Sequence, residues 1–180
     1  SSASNISLFT NNITNVTDGI WLNNSGGSIL QNNVINASSS FGLQLANASN
    51  NTVSNNNIYS RDLPSAFYLF TSKKNTISTN VLKGSTGNSL IFDTNSDSNT
   101  ITNNSGTSNN EAGAQISSSS NNVFNNNTFK SNNYVAVFIQ TNSANNNFTN
   151  TTVTGPTGFE INSSTNILIT NTSFQNTNWS

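Results

Sequence analysis

Six carboxylates are the main candidates for acid–base chemistry in this 180-residue chain, because the sequence contains neither His nor Cys. They are Asp18, Asp62, Asp93, Asp97, Glu111 and Glu160. Hydrolysis of a glycosidic bond requires two carboxyl groups roughly 5–9 Å apart. The six acids are scattered along the chain and do not recur at equivalent positions of its repeat. The sequence therefore predicts no catalytic pair and no enzyme.

Two of these acids raise the question of a metal ion. Asp93 and Asp97 lie near each other and offer the oxygen ligands that Ca²⁺ prefers. A solvated bend, with Asp97 next to Lys73 or Lys74 of the preceding repeat, is the favoured interpretation. The sequence therefore predicts no metal site and no cofactor.

The elements that position these acids follow from a phrase that recurs along the chain. Each copy opens with an apolar residue, has one or two Asn or Thr residues at the second and third places after it, and usually has a second apolar residue at the fifth place. The openers are Leu8, Ile29, Val53, Ile77, Ile101, Val123, Phe148 and Ile169. Steps of 21–25 residues are typical of a solenoid, in which each repeat buries its apolar face against its neighbours.

A second recurring segment alternates apolar with variable residues, as a strand covered on one side does. Its copies are Ile20-Trp-Leu22, Leu43-Gln-Leu45, Phe67-Tyr-Leu69, Leu90-Ile-Phe92, Ala114-Gln-Ile116, Val137-Phe-Ile139 and Phe159-Glu-Ile161. Asn, Ser and Thr disfavour helices, and the chain contains no Asn-Gly pair, the strongest hairpin signal. The sequence predicts an all-β fold, a parallel β-helix of about eight turns that forms one domain over residues 1–180.

Asparagine is unusually abundant, with 41 copies. One copy stands three places after most openers, at Asn11, Asn32, Asn56, Asn80, Asn104 and Asn126. Asn tolerates the left-handed backbone of a sharp bend, and stacked Asn side chains can pass amide hydrogen bonds from turn to turn. We expect these residues to form a structural Asn ladder that changes or stops where Thr151 and Thr172 take the position.

Composition limits the classes of partner. The chain is 32% hydrophobic and 6% charged, with a net charge of −1. An Asn-rich disordered tract is the alternative to a folded chain, but disordered chains usually carry high net charge and lack phased apolar residues. Five Lys and Arg residues are too few to track phosphates, and no apolar run approaches the roughly 18 residues of a membrane span. We expect no nucleic-acid partner and no membrane span.

The phrase Asn-Thr-Ile/Val-x-Asn-Asn-x-Ile is clearest at Asn51–Ile58, Asn75–Leu82 and Asn99–Asn104. It resembles the right-handed parallel β-helix repeats of pectate-lyase-like proteins, and especially their carbohydrate-binding and sugar-hydrolase branch. The resemblance spans nearly the whole chain and implies a right-handed coil at a cell surface. It implies no single activity, because these repeats occur in lyases, hydrolases, epimerases and structural surface proteins.

Large side chains recur at the outward position of the alternating strand. They are Trp21, Tyr68, Ile91 and Phe138, with Phe70 and Tyr134 beside them. Exposed apolar area marks contact sites, and aromatic residues favour interfaces. This row could dock another protein copy, or it could stack on sugar rings while Gln44 or Gln115 donates hydrogen bonds. A shift of one residue in the phase would instead send the row into the core.

The repeat runs almost to both ends of the sequence, from Leu8 to Phe174 and Trp179, without an obvious cap. The start, Ser1-Ser-Ala-Ser4, is typical of a mature end after signal removal or of a cut from a longer protein such as an adhesin or phage fibre. Uncapped ends favour head-to-tail stacking, which builds filaments. We expect a secreted, non-enzymatic structural homo-polymer, with a carbohydrate-binding or polysaccharide-active surface domain as the alternative.

Sequons for N-glycosylation are frequent in this chain. The favoured candidates are Asn15, Asn36 and Asn47, expected at bends, and Asn162. Sugar at these sites would keep a rod with few charges soluble, which also predicts an extracellular or cell-surface location.

Overall fold

Three short strands and three bends make a complete turn of the chain, and every strand pairs in parallel with the strand one turn away. The structure is a computed structural model that describes residues 4–62 and 64–175. Trp179 and residues 1–3 of the predicted mature end lie outside this range. The structure confirms the predicted all-β parallel β-helix of about eight turns. Among the described residues no helix is long and apolar enough to cross a membrane.

The strands form three sheets. The first sheet contains Ser7–Phe9, Ile29–Gln31, Thr52–Ser54, Thr76–Ser78, Thr100–Thr102, Val123–Asn125, Asn147–Thr149 and Leu168–Thr170. The second sheet contains Asn12–Val16, Val34–Ala37, Asn57–Ser60, Val81–Gly84, Ser105–Ser108, Thr128–Ser131, Thr152–Thr154 and Ser173–Gln175. The third sheet contains Ile20–Asn23, Leu43–Ala46, Ser65–Phe70, Asn88–Asp93, Ala114–Ser117, Val135–Gln140 and Thr157–Ile161.

Inward side chains of the three sheets form one continuous core. Those of the first sheet pair in register as Leu8, Leu30, Val53, Ile77, Ile101, Phe124, Phe148 and Ile169. The rings of Phe124 and Phe148 stack with centroids 4.4 Å apart. Each turn therefore removes the apolar surface of the next from water, which is the main stabilising term of such a coil.

Two of the predicted openers are wrong by one residue. Ile29 and Val123 are 39% and 41% exposed, whereas the adjacent Leu30 and Phe124 are fully buried. In both turns two large apolar residues stand side by side, so alternation alone fits either phase. Stacking on Val53 and Phe148 selects the second residue of each pair.

An Asn ladder does connect the turns at the bend between the first and second sheets. It consists of Asn11, Asn33, Asn56, Asn80, Asn104 and Asn127. In Asn56, the backbone N–H and the side-chain Nδ2 both donate to Oδ1 of Asn80, at 2.9 and 3.0 Å, and Nδ2 also donates to the carbonyl of Leu30. Beyond Asn127 the buried Thr151 takes the position, and its hydroxyl donates to the carbonyl of Thr149.

Two predicted ladder residues, Asn32 and Asn126, are not ladder members. Both are exposed and adopt φ near 57°, and each directly precedes the true ladder residue. The error follows from the one-residue shift at Ile29 and Val123, because the predicted ladder position lies three places after each opener. The bend thus uses two consecutive residues, one for the left-handed backbone and the next for the buried amide.

A second Asn ladder precedes the first sheet. It runs through Asn51, Asn75, Asn99, Asn122 and Asn146, all buried. Its first three members stand in the recurring phrase directly before Thr-Val or Thr-Ile. At the bend between the third and first sheets, buried hydroxyls also connect neighbouring turns. Each accepts a hydrogen bond from a backbone N–H of the preceding turn, and they belong to Ser72, Ser96, Ser119 and Ser143.

The bends explain most of the remaining asparagine. Among the residues that the structure describes, 25 other than Gly have positive φ, and 16 of these are Asn. This conformation costs Asn less free energy than most other residues, because its short polar side chain can hydrogen-bond to the nearby backbone. Buried amides and left-handed bends together account for a composition that would otherwise indicate disorder.

Candidate functional site

The outward row of the third sheet is the most distinctive surface of the molecule. Strand pairing aligns Trp21, Gln44, Tyr68, Ile91, Gln115, Phe138 and Glu160, one per turn. The residues on either side of Trp21, Ile20 and Leu22, point into the core. The strand register agrees with the outward positions predicted for the four large members of this row, and their role as a contact surface stays a prediction.

The row is not a continuous apolar strip. Trp21 is 61% exposed, whereas Ile91 in the middle is only 8% exposed. Tyr68 and Phe138 are half-buried. Ile91 therefore offers no contact surface, and the row divides into one group of residues around Trp21 and Tyr68 and another around Phe138.

A groove of about 200 Å³ opens beside Trp21. It is lined by Asp18, Ile20, Trp21, Ser40, Phe41 and Gln44. Trp21 and Gln44 are direct partners on adjacent strands, so they stand side by side on the sheet. The other polar and aromatic residues come from the bends that lead into those strands. The groove thus combines two aromatic side chains with a carboxylate, an amide and a hydroxyl.

Two glycines bring the groove's bends together. The N–H of Gly19 donates to the carbonyl of Phe41 at 3.0 Å, and the N–H of Ile20 donates to that of Gly42 at 2.9 Å. A Cβ on Gly19 would collide with the carbonyl oxygen of Gly42. Only Gly permits this approach, which stacks the Asp18 bend directly on the Phe41 bend.

An aromatic cluster extends the groove along the sheet. Phe41 stacks on Tyr68 with centroids 4.6 Å apart, and Phe70 lies 6.4 Å from Tyr68 on nearly parallel planes. The Tyr68 hydroxyl donates to Oδ2 of Asp93 at 3.0 Å, and Thr94 donates to Oδ1 of the same carboxylate. Burial, followed by the hydrogen bond and charge of Asp93, raises the pKa of Tyr68.

The second cluster surrounds Phe138. Tyr134 meets it edge to face at 6.1 Å, and Glu160, next to Phe138 in the row, accepts a 2.8 Å hydrogen bond from Nδ2 of Asn162. Partial burial, then the charges of Glu160 and Glu111, raise the pKa of Tyr134. Tyr134 is 37% exposed, so this cluster has less free aromatic surface than the groove.

The structure also places the remaining acids. Asp97 forms a 2.9 Å ion pair with Lys73 and accepts the backbone N–H of Ser120. Asp62 is exposed on a bend. In the described part of the chain, no group of three or more carboxylate side chains is arranged to hold a metal ion.

Sequence reasoning missed two groove residues, Ser40 and Phe41. The available signal was the aromatic residue before Gly42 at the entrance of a third-sheet strand. Asp18 was considered only as one of six scattered acids, because no residue near it in the sequence indicates that its bend stacks on the bend of Phe41.

The four glycosylation candidates occupy different environments. Asn47 is exposed with positive φ at a bend, and Asn162 is exposed beside Glu160. Asn15 is also exposed with positive φ, but it lies within the strand Asn12–Val16, where the register shifts between Ile13 and Val16, and not at the expected bend. Asn36 does not lie at a bend as expected, because it belongs to the strand Val34–Ala37 and pairs with Tyr59. Its neighbours Ile35 and Ala37 are core residues, which draw the segment into the sheet.

Comparison with protein families shows which family this chain belongs to. A family model described as a right-handed beta helix region matches residues 1–178. The chain belongs to the right-handed β-helix family. This confirms the resemblance drawn from the Asn-Thr-Ile repeats and the right-handed coil that it implies. A search of curated proteins finds no significant match for this β-helix.

Solved structures of similar fold include periplasmic alginate epimerase AlgG. Its T265N T268M and T265N mutants match with TM-scores of 0.60 and 0.57, each at 12% identity over 94% of this chain and 47% of theirs. The A-module of Azotobacter vinelandii mannuronan C-5 epimerase AlgE4 matches with a TM-score of 0.51 at 13% identity, over 98% of this chain and 56% of its own. This β-helix therefore spans about half the length of these chains.

These neighbours correct two predictions. The expected non-enzymatic filament subunit and the expected absence of enzymatic activity are both contradicted, because the similar structures are epimerases named for polysaccharide substrates. The carbohydrate-related alternative fits these neighbours better, and the homo-polymer expectation receives no support. The two predictions rest on the uncapped ends, the outward row and the scattered acids. None of these features excludes action on a polysaccharide, and the burial of Ile91 interrupts the row as a docking strip.

Proposed function

We propose that this β-helix binds a polysaccharide through the groove at Trp21 and is part of a carbohydrate-active protein that works outside the cytoplasm. The observation that carries the proposal is the 61% exposed Trp21 beside a groove whose other lining residues include Phe41 and Gln44. The family resemblance and the polysaccharide epimerases of similar fold support the same class of ligand.

The lining suits a sugar ring. Sugars present apolar C–H faces and hydroxyl edges, so their binding sites need aromatic surface together with a few placed polar groups. Trp21 and Phe41 supply the aromatic surface, and Gln44, Ser40 and Asp18 supply donors and acceptors. A flat protein partner fits less well, because interfaces between proteins bury a much larger continuous patch than this divided row offers.

The groove also contains an acid–base group. Asp18 is its only carboxylate among the described lining residues, so it is the group that a bound sugar meets. The nearby Tyr68 has a raised pKa and keeps its proton at neutral pH, so it acts as a donor and not as a base. Any chemistry on the sugar should therefore depend on Asp18.

Binding should be measured by affinity electrophoresis and calorimetry against a panel of neutral and acidic polysaccharides. Trp21→Ala should weaken binding at least about tenfold, as loss of a central aromatic contact does. Phe9→Ala is the matched control, because Phe9 is 46% exposed but lies on the first sheet, and it should bind like the wild type. Equal binding by both variants, or no binding to any polysaccharide, would overturn the proposal.

Activity should be measured in the same panel through new reducing ends, unsaturated ends or changed sugar stereochemistry. Asp18→Asn should abolish any product formed by the wild type while binding persists. Product formation that survives this substitution would remove Asp18 from the chemistry.

A further inference from the structure

Resting on the proposed function, we infer that the groove takes an uncharged polysaccharide, unlike the alginate for which the neighbouring epimerases are named. The inference comes from the charges around the groove. Recognition of a carboxylate-bearing chain normally uses Arg or Lys, which form charge-assisted hydrogen bonds to each acid group.

The third-sheet face is acidic or neutral. None of its seven described strands contains Lys or Arg. The charged residues on its strands or in the groove are Asp18 in the groove, Asp93 bonded to Tyr68, and Glu160 at the far end of the row. A polyuronate lying along this face would meet like charges at both ends and no positive partner between them.

The basic residues lie elsewhere. Lys83 and Lys130 are exposed on the second sheet, in one outward row with Thr107 between them. Lys73 is paired with Asp97, and Lys74 is at the following bend. These four positions lie on a different sheet or at the bend between the third and first sheets.

Arg61 is the basic residue nearest in the coil to the groove. Its backbone N–H bonds to the carbonyl of Ala37, so it lies one turn above the bend that contains Ser40. It is exposed and directly followed by Asp62, which offsets its charge. Substitution of Arg61 therefore tests whether a basic side chain near the groove binds the carboxylates of an acidic polysaccharide.

The neutral polar groups match hydroxyl-bearing ligands instead. Gln44 can donate and accept, Ser40 can do both, and the Asp18 carboxylate accepts from sugar hydroxyls. Hydrogen bonds from hydroxyls to a carboxylate are charge-assisted and require no positive group on the protein. The same Asp18 that repels a uronate thus favours a neutral sugar.

The experiment compares galactomannan, glucomannan, xylan and dextran with alginate and polygalacturonate, with and without EDTA and at low and high NaCl. We expect at least one neutral polysaccharide to bind more tightly than either acidic one, with little dependence on salt or EDTA. Asp18→Lys should weaken neutral binding and strengthen alginate binding about threefold, as a single exposed charge does. Circular dichroism checks that the variant folds, which the exposed bend position favours.

Arg61→Gln is the companion variant and should leave neutral binding unchanged. Tighter binding to alginate or polygalacturonate than to every neutral polysaccharide would overturn the inference. Loss of that binding on Arg61→Gln, in high salt or with EDTA would identify its charged origin. Trp21→Ala tests separately whether the groove binds a polysaccharide at all. If none of the six polysaccharides binds, the proposed function fails and this inference fails with it.

Discussion

The Tyr68 hydroxyl donates a 3.0 Å hydrogen bond to Oδ2 of Asp93, a residue one turn further along the β-helix. Phe41 covers one face of the Tyr68 ring, and Phe70 lies close on a nearly parallel plane. This pair links the groove at Trp21 to the next turn and fixes the Asp93 carboxylate. Burial of Tyr68 is the larger cause of its raised pKa, and Asp93 adds to it.

The raised pKa of Tyr68 predicts a loss of stability in alkali. Above the ordinary value of about 10, the unfolded chain has released the phenol proton while the folded chain still holds it. The stability contributed by this group is therefore fully present below that pH and decreases as the pH rises further. Urea unfolding from about pH 8 to about pH 11 should show a steeper decline for the wild type than for Tyr68→Phe.

Asp93→Asn serves as the second arm of that measurement. Phenolate absorbance should show the pKa of Tyr68 lowered but still above its ordinary value, because burial remains. Identical slopes for wild type and Tyr68→Phe would contradict the assignment.

The Asn ladder predicts a large difference between two adjacent asparagines. Asn56→Ala removes the acceptor of two Asn33 donors and the donors to Leu30 and Asn80. Buried groups left without partners should lower the free energy of unfolding by about 2–4 kcal/mol. Asn57→Ala, at an exposed neighbouring position, should change it by less than about 0.5 kcal/mol. Urea denaturation measures both, and similar losses would show that the ladder adds little.

One bend residue is poorly suited to its backbone. Thr79 has φ of 57° at a position that Asn55 and Asn103 occupy in the adjacent turns. A β-branched residue is strained in this region, so Thr79→Asn should raise the free energy of unfolding by about 0.5–1 kcal/mol. Thr76→Asn, exposed within a strand, is the control and should not stabilise. Equal thermal unfolding of Thr79→Asn and wild type would contradict the strain.

Much of the architecture can be predicted from the sequence because the repeat is local. The phrase around Val53, Ile77 and Ile101 shows the period, and its Asn residues show that something polar recurs in each turn. The alternation of Trp21, Gln44 and Tyr68 with core residues likewise assigns them to one outward row, since side chains in a strand alternate between faces.

The phase and the site depended on tertiary contacts. Ile29-Leu30 and Val123-Phe124 satisfy alternation in either phase, and only stacking on the neighbouring turns selects Leu30 and Phe124 for the core. The burial of Ile91 and the groove between Asp18 and Phe41 follow from how bends of different turns lie on one another. Local periodicity determines which residues can face inward or outward, but residues about twenty positions apart in sequence become neighbours only when the turns pack.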